Sequence, residues 1–357
     1  MKFKHLFSAL FVALIVNFTA NAQTKSIDVD NYRFNITYRV MPTKPFDPLF
    51  FTYSTSVEAR ADTERRVSLS KVNDRILIEG QQRVNNDEEP FLSVVLKLKD
   101  LFLGGARIDE RKVEEKDKDG KVIAVRNYYS VSVGYSLYSS YVIFRGDTEF
   151  ASGAVYNTPS GGFDSYKTSE YESKRAAEAY WNNNKETLIS KFATELSNAA
   201  ADRLSYRIMS RAYGFAVEMT TDILQITDEK KHLENTTFRT VCAGVKEKLE
   251  AITPNQGLRE EDVADAIEYF KSIPQKYTDQ KLKADIKLRY AAYYNLCKIY
   301  LYLEEPQNVH TYADLLIENV YDKKDGEKLK KEADELTKEL SKTEITTKHF
   351  NPEDYFE

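Results

Sequence analysis

Histidine, tryptophan and cysteine are scarce in this chain of 357 residues, which holds four, one and two of them. Beyond His5 the histidines are His232, His310 and His349, and none forms an H-E-x-x-H or H-x3-H pair that would set two imidazoles on one helical face. A zinc site built from local sequence is therefore not expected, nor is any other metal or cofactor. His232 follows Lys230 and Lys231, and His310 stands in the first turns of a helix after Pro306, so both read as solvated surface. Cys242 and Cys297 sit in apolar helical patterns. In an oxidising compartment they allow one disulfide, and the alternative is two separate buried thiols acting as small apolar residues. Apolar helical neighbours also argue against a low thiol pKa, so neither cysteine reads as a nucleophile.

Other absences narrow the chemistry further. The chain has no G-x-S-x-G elbow, no G-x-x-x-x-G-K-[ST] phosphate loop and no G-x-G-x-x-G after a strand. Its clustered acids, Asp87-Glu88-Glu89, Glu114-Glu115 and Glu260-Glu261-Asp262, read as solvated charge. The last group also places negative charge at a helix N-terminus, where backbone N–H groups favour it. No catalytic residue is assigned, and the chain reads as non-enzymatic. An envelope hydrolase whose residues converge only in three dimensions is the alternative.

Long hydrophobic runs are missing too, apart from one at the start. Met1-Lys2-Phe3-Lys4-His5 is basic, Leu6 to Val16 is apolar except for Ser8, and Ala20-Asn21-Ala22 offers the small residues a signal peptidase accepts. Residues 1–22 therefore read as a cleavable signal peptide, about half as long in its apolar part as a membrane span of roughly 20 residues. No cysteine follows at the lipoprotein position, so the expectation is an exported, periplasmic or surface-associated chain without a lipid anchor or transmembrane segment. Without Lys2 and Lys4, 49 of the 51 basic residues remain against 56 acidic ones, a formal charge of −7. Such a surface gives nucleic acid no electrostatic reason to bind.

From Ile27 to about Tyr156, apolar and polar residues alternate with the period of strands. Strands are expected at Tyr32–Tyr38, Phe50–Val57, Arg75–Glu79, Phe91–Leu98, Val122–Val133 and Tyr141–Phe144, with a tight hairpin turn at Asp119-Gly120. An antiparallel β-sandwich or barrel-like domain over residues 23–157 follows. A Pro, Ser and Gly-rich linker is read at 158–168, centred on Pro159-Ser160-Gly161-Gly162. Residues 169–345 then change to helical period, with a long helix from about Lys185 to Arg211 and further helices broken at Pro254, Pro274 and Pro306. Residues 346–357 form a tail. The fold class is α+β.

Tyr293-x2-Leu296-Cys297-x2-Tyr300, with Val309, Ala313 and Leu316 behind it and Ala266-x3-Phe270-x2-Ile273-Pro274 ahead, resembles a degenerate tetratricopeptide repeat. A plain antiparallel helical bundle is the alternative. The whole layout also resembles the exported proteins of undefined role found in Bacteroidota. On the repeat-like helix Tyr294, Lys298 and Tyr302 recur every four residues and share a face. Such a face either presents two aromatics and a cation to a partner peptide or packs against a neighbouring helix. Tyr128, Tyr129, Tyr135, Tyr138 and Tyr141 suggest half-buried strand tyrosines, or an aromatic surface for a glycan. The single Trp181 lies outside the strand-rich stretch, which favours the first reading. The function expected is protein binding or scaffolding in the envelope, with envelope or outer-membrane proteins or peptides as partners and a glycan-binding module as an alternative.

Overall fold

The structure, a computed structural model, describes residues 27–85, 88–156, 162–228 and 232–356. The signal peptide read at residues 1–22 and most of the centre of the expected linker lie outside the described residues. The fold is mixed α+β, with a sheet region toward the N-terminus and helices toward the C-terminus. It divides into two units. Among the described residues, a sheet unit comprises Met41–Ala216 with the C-terminal residues from Pro352, and a helical unit comprises those up to Val40 with Val217–Asn351.

Strand β1 (Val29–Arg39) opens the described chain and belongs to the helical unit. The sheet unit then builds β2 (Thr52–Ala59), two short helices α1 (Ala61–Arg66) and α2 (Leu69–Asn73), and β3 (Gln82–Arg83). After these come β4 (Leu92–Leu103), β5 (Arg107–Lys116), β6 (Val122–Arg145), β7 (Thr148–Ala154) and β8 (Gly162–Lys167). The two stretches read as separate strands within 122–144 are one strand, and β4, β5, β7 and β8 all pair with it antiparallel. Gly120 makes the β5–β6 turn at φ +80°, and the Asp117 carboxylate accepts from the Asp119 and Lys121 amides.

This is one open sheet, where a sandwich or barrel was expected. The reason is α3 (Lys174–Arg203), a helix of 30 residues capped by the Ser173 side chain, whose apolar side covers one face of the sheet. Phe192 stacks on Tyr135 with 4.0 Å between ring centroids, and Trp181, Leu188 and Leu196 join the same core. The expected boundary at 158–168 is corrected for the same reason. Gly162–Lys167 is strand β8, paired to Ser132–Leu137, and the first long helix packs inside the sheet unit.

Arg75–Glu79 is not a strand, although its burial alternates as read, with Ile76 and Ile78 inside and Leu77 outside. Its amides are satisfied by hydroxyls in place of a ladder: Leu77 by Ser205, Ile78 by Tyr53 and Glu79 by Ser210.

In the helical unit β1 pairs along its whole length with β9 (Val217–Thr227), from Val29 opposite Thr227 to Arg39 opposite Val217. Five helices follow: α4 (Asn235–Glu250), α5 (Glu260–Lys276), α6 (Lys283–Tyr302), α7 (Pro306–Glu318) and α8 (Lys323–Leu340). From α4 onward each helix packs on the next. Phe34, Ile36, Leu224 and Ile226 of the ribbon share a core with Phe238, Phe270, Leu288 and Leu296 of the helices. Pro306 starts α7, as its missing N–H permits, but Pro274 lies inside α5, which ends two residues later at Lys276. His232 is buried against Tyr277 and not on the surface. No helix among the described residues is long and apolar enough to cross a membrane.

Candidate functional site

Period four on α6 places Tyr294, Lys298 and Tyr302 on one face, and that face turns inward. Lys298 is 2% exposed. Its ammonium lies 2.9 Å from Asp222 Oδ2 on β9 and 2.9 Å from Glu332 Oε2 on α8. Tyr302 donates to the same Asp222 oxygen at 2.5 Å and meets Phe34 edge-on, while the Tyr294 ring stands 5.9 Å from the Lys298 ammonium. Burial alone would lower the lysine's pKa, but the two carboxylates outweigh it and raise the value above the ordinary one. Burial, then the charge of Asp222, pushes the Tyr302 phenol well above its usual range. Lysine and phenol therefore keep their protons at neutral pH. The face read as a partner surface is spent on the chain's own β9 and α8.

The triad of Lys298, Asp222 and Glu332 floors a cleft of about 390 Å³ in the helical unit. Thr220, Thr221 and Asp222 of β9 line one side of it and Glu332, Glu335 and Glu339 of α8 another, with Glu304 and Lys348 also at its walls. Lys348 Nζ pairs with Glu339 at 2.5 Å and lies 5.1 Å from the Tyr38 ring centroid. The Lys348 amide donates to Glu304 at 2.7 Å, and His349 at the rim is held by the Thr253 carbonyl at 2.8 Å. Five carboxylates face three lysines along the lining, a formal balance of −2. The arrangement is a preorganised, negatively biased concavity, suited to a ligand that brings positive charge.

The cysteines take no part in it and form no disulfide. Cys242 and Cys297 are both free and buried, and their sulfurs bond different backbone carbonyls, Gln225 and Val309. Burial pushes the Cys242 thiol up to about 12 and moves Cys297 the same way, which keeps both unreactive at neutral pH.

Sequence reasoning found α6's shared face but missed β9, the strand that supplies Asp222. Thr220, Thr221, Ile223, Ile226 and Thr227 give that stretch the β-branched density of a strand, and this signal could have found it. Of the strand tyrosines, Tyr135 is fully buried in the sheet core, and Tyr128, Tyr129, Tyr138 and Tyr141 are half-buried.

No protein-family model matches the chain, and no curated protein matches it.

Proposed function

We propose that this chain is an exported, non-enzymatic envelope protein that binds or scaffolds other envelope proteins, with the cleft of its helical unit as the binding site. One observation carries the reading: Lys298, fixed between Asp222 and Glu332, builds a rigid charged floor under a concave surface whose rim carboxylates are accessible. Binding energy is best conserved when the site is already ordered before the ligand arrives. The helices around the cleft are read as a degenerate tetratricopeptide-repeat-like array. Leu296, Cys297, Val309, Ala313 and Leu316 all fill buried packing positions, which supports this. Export rests on the signal-like residues 1–22, and the layout fits the exported Bacteroidota-type proteins it resembles.

Two measurements test the reading. N-terminal sequencing of the protein recovered from envelope fractions should begin at Gln23. Cross-linking in intact cells should capture an envelope protein on the wild-type chain and lose it on Glu335→Lys, which reverses one rim charge. A cytoplasmic, uncleaved chain, or capture indifferent to Glu335→Lys, would refute it.

A second reading, a glycan-binding module, is favoured by the open face of the sheet unit. Ser136 lies opposite Phe102 of β4 on one side and Phe163 of β8 on the other. Neighbouring Tyr135 packs toward α3, so Ser136 and its two cross-strand partners point to the other face. Phe102 and Phe163 are 69% and 70% exposed. The Phe163 ring lies over Gly134, where an added Cβ would come within 3.3 Å of it. Glycan-array binding that disappears in Phe102→Ala/Phe163→Ala would support this reading, and an unchanged or blank array would end it.

A further inference from the structure

Each outer edge of the β1–β9 ribbon is closed only in part, and the open part of β9 lies beside the acidic cleft. In an antiparallel ladder, alternate residues turn both backbone groups away from the partner strand. Gln225 of β9 is one such residue: its N–H donates to Asn295 Oδ1 at 2.7 Å and its carbonyl accepts from Asn295 Nδ2 at 2.8 Å. Period two then turns Ile223, Thr221 and Met219 outward on β9, and Asn35 and Arg39 outward on β1. On β1 the amides of Asn35 and Arg39 are occupied, while those of Arg33 and Thr37 have no hydrogen-bond partner among the described residues. Asn35 donates to the Glu250 carboxylate at 3.3 Å and Arg39 to the Lys348 carbonyl at 3.0 Å.

On β9 the closure stops partway. The Thr227 carbonyl accepts from Arg239, Gln225 is clamped by Asn295, and the Ile223 amide donates to Asp222 Oδ1 at 2.8 Å. The outward amides and carbonyls of Thr221 and Met219 have no hydrogen-bond partner among the described residues. Met219 is 72% exposed and Thr220 and Thr221 are exposed. This open stretch runs beside the acidic cleft, whose walls include Thr220 and Thr221 as well as Glu335 and Glu304.

We propose that the outer edge of β9 at Met219–Thr221 takes up an extended, lysine- or arginine-bearing segment of a partner protein as a third strand. The partner's backbone meets the outward groups of Met219 and Thr221, and alternate basic side chains reach the carboxylates of the cleft. Charge complementarity selects the occupant, since the lining carries five carboxylates against three lysines and Lys298 is already held by Asp222 and Glu332. The proposal rests on the binding reading of the cleft and names the partner's chemistry.

The test uses the purified full chain and three capped peptides roughly seven residues long: alternating Lys-Val, its backbone N-methylated analogue, and alternating Glu-Val. The Lys-Val peptide should bind and slow amide hydrogen exchange at Met219 and Thr221. N-methylation, or the exchange of Lys for Glu, should each weaken binding about tenfold or more. Thr221→Pro removes an outward N–H without costing a ladder bond and should do the same, with a thermal melt checking that it folds. Glu335→Lys, a surface change, should weaken the Lys-Val peptide while leaving exchange in the free protein as it was. Equal binding of the methylated peptide, no binding of the Lys-Val peptide, or no slowing at the two amides would overturn strand addition. Cellular cross-linking separates the two claims. A partner retained on Thr221→Pro but lost on Glu335→Lys keeps the binding reading and removes the strand.

Discussion

The two β structures of this molecule protect their edges by different means. In the sheet unit, β5 pairs among the described residues only with β6, and its sequence from Arg107 to Lys116 is almost wholly charged, with Arg111 tied to Glu170 and Arg107 to Asp109. A row of charge makes it costly for another strand to dock there. The ribbon of the helical unit uses side-chain acceptors on Asn35, Gln225 and Ile223 and a backbone carbonyl on Arg39, and at Met219-Thr220-Thr221 it has neither clamp nor charge. An edge left uncharged and unclamped beside a preformed cleft is what a binding strand requires. An edge meant only to stay soluble would be expected to look like β5.

Substitutions sharpen this contrast. The largest effect should come from Phe192→Ala, which empties the space under Tyr135 in the core of the sheet unit, at about 4 kcal/mol by chemical denaturation. Lys298→Met should cost about 3 kcal/mol, because Asp222 and Glu332 lose the cation between them at a mostly buried site. A change below about 1 kcal/mol would mean that water reaches the triad and the floor is not rigid. Asn295→Ala should cost about 2 kcal/mol by leaving the Gln225 N–H buried without a partner and its carbonyl with only the Cys242 thiol, and should extend fast hydrogen exchange from Thr221 to Gln225.

The smallest effect is on pH. Lys298 and Tyr302 both have pKa values raised by folding, so the native state holds protons more tightly than the unfolded chain. Their contribution is complete below about pH 10, near the unfolded pKa values, and is lost as pH rises toward the folded ones. Denaturation midpoints should hold from pH 8 to 9.5 and fall above 10. A midpoint still flat at pH 11 would contradict the buried triad.

How much of this was legible in sequence depends on the distance between interacting residues. Short-range regularities were clear. The alternation at Tyr32–Tyr38 marked β1, Asp119-Gly120 marked the β5–β6 turn, and the period of four put Tyr294, Lys298 and Tyr302 on one face. Which way that face turned was not legible, because Asp222 is separated from Tyr302 by 80 residues. Alternation at Ile76–Ile78 recorded burial correctly but not strand pairing, since serine and tyrosine hydroxyls can satisfy a backbone as a ladder does. The Gly- and Pro-rich stretch near residue 160 suggested a domain boundary, yet the boundary follows long-range pairing: β1 joins β9, on the far side of the whole sheet unit in the chain. The cysteines share a helical core, but only the positions of their helices decide that each sulfur meets a carbonyl and not the other sulfur.

The most direct test of the open edge is residue-resolved amide hydrogen exchange on the full chain, alone and with the Lys-Val peptide. Gln225 should exchange slowly in both states, whereas Met219 and Thr221 should exchange fast alone and slow when the peptide is present. Met219 and Thr221 already as protected as Gln225 in the free chain, or unchanged at saturating peptide, would contradict the account.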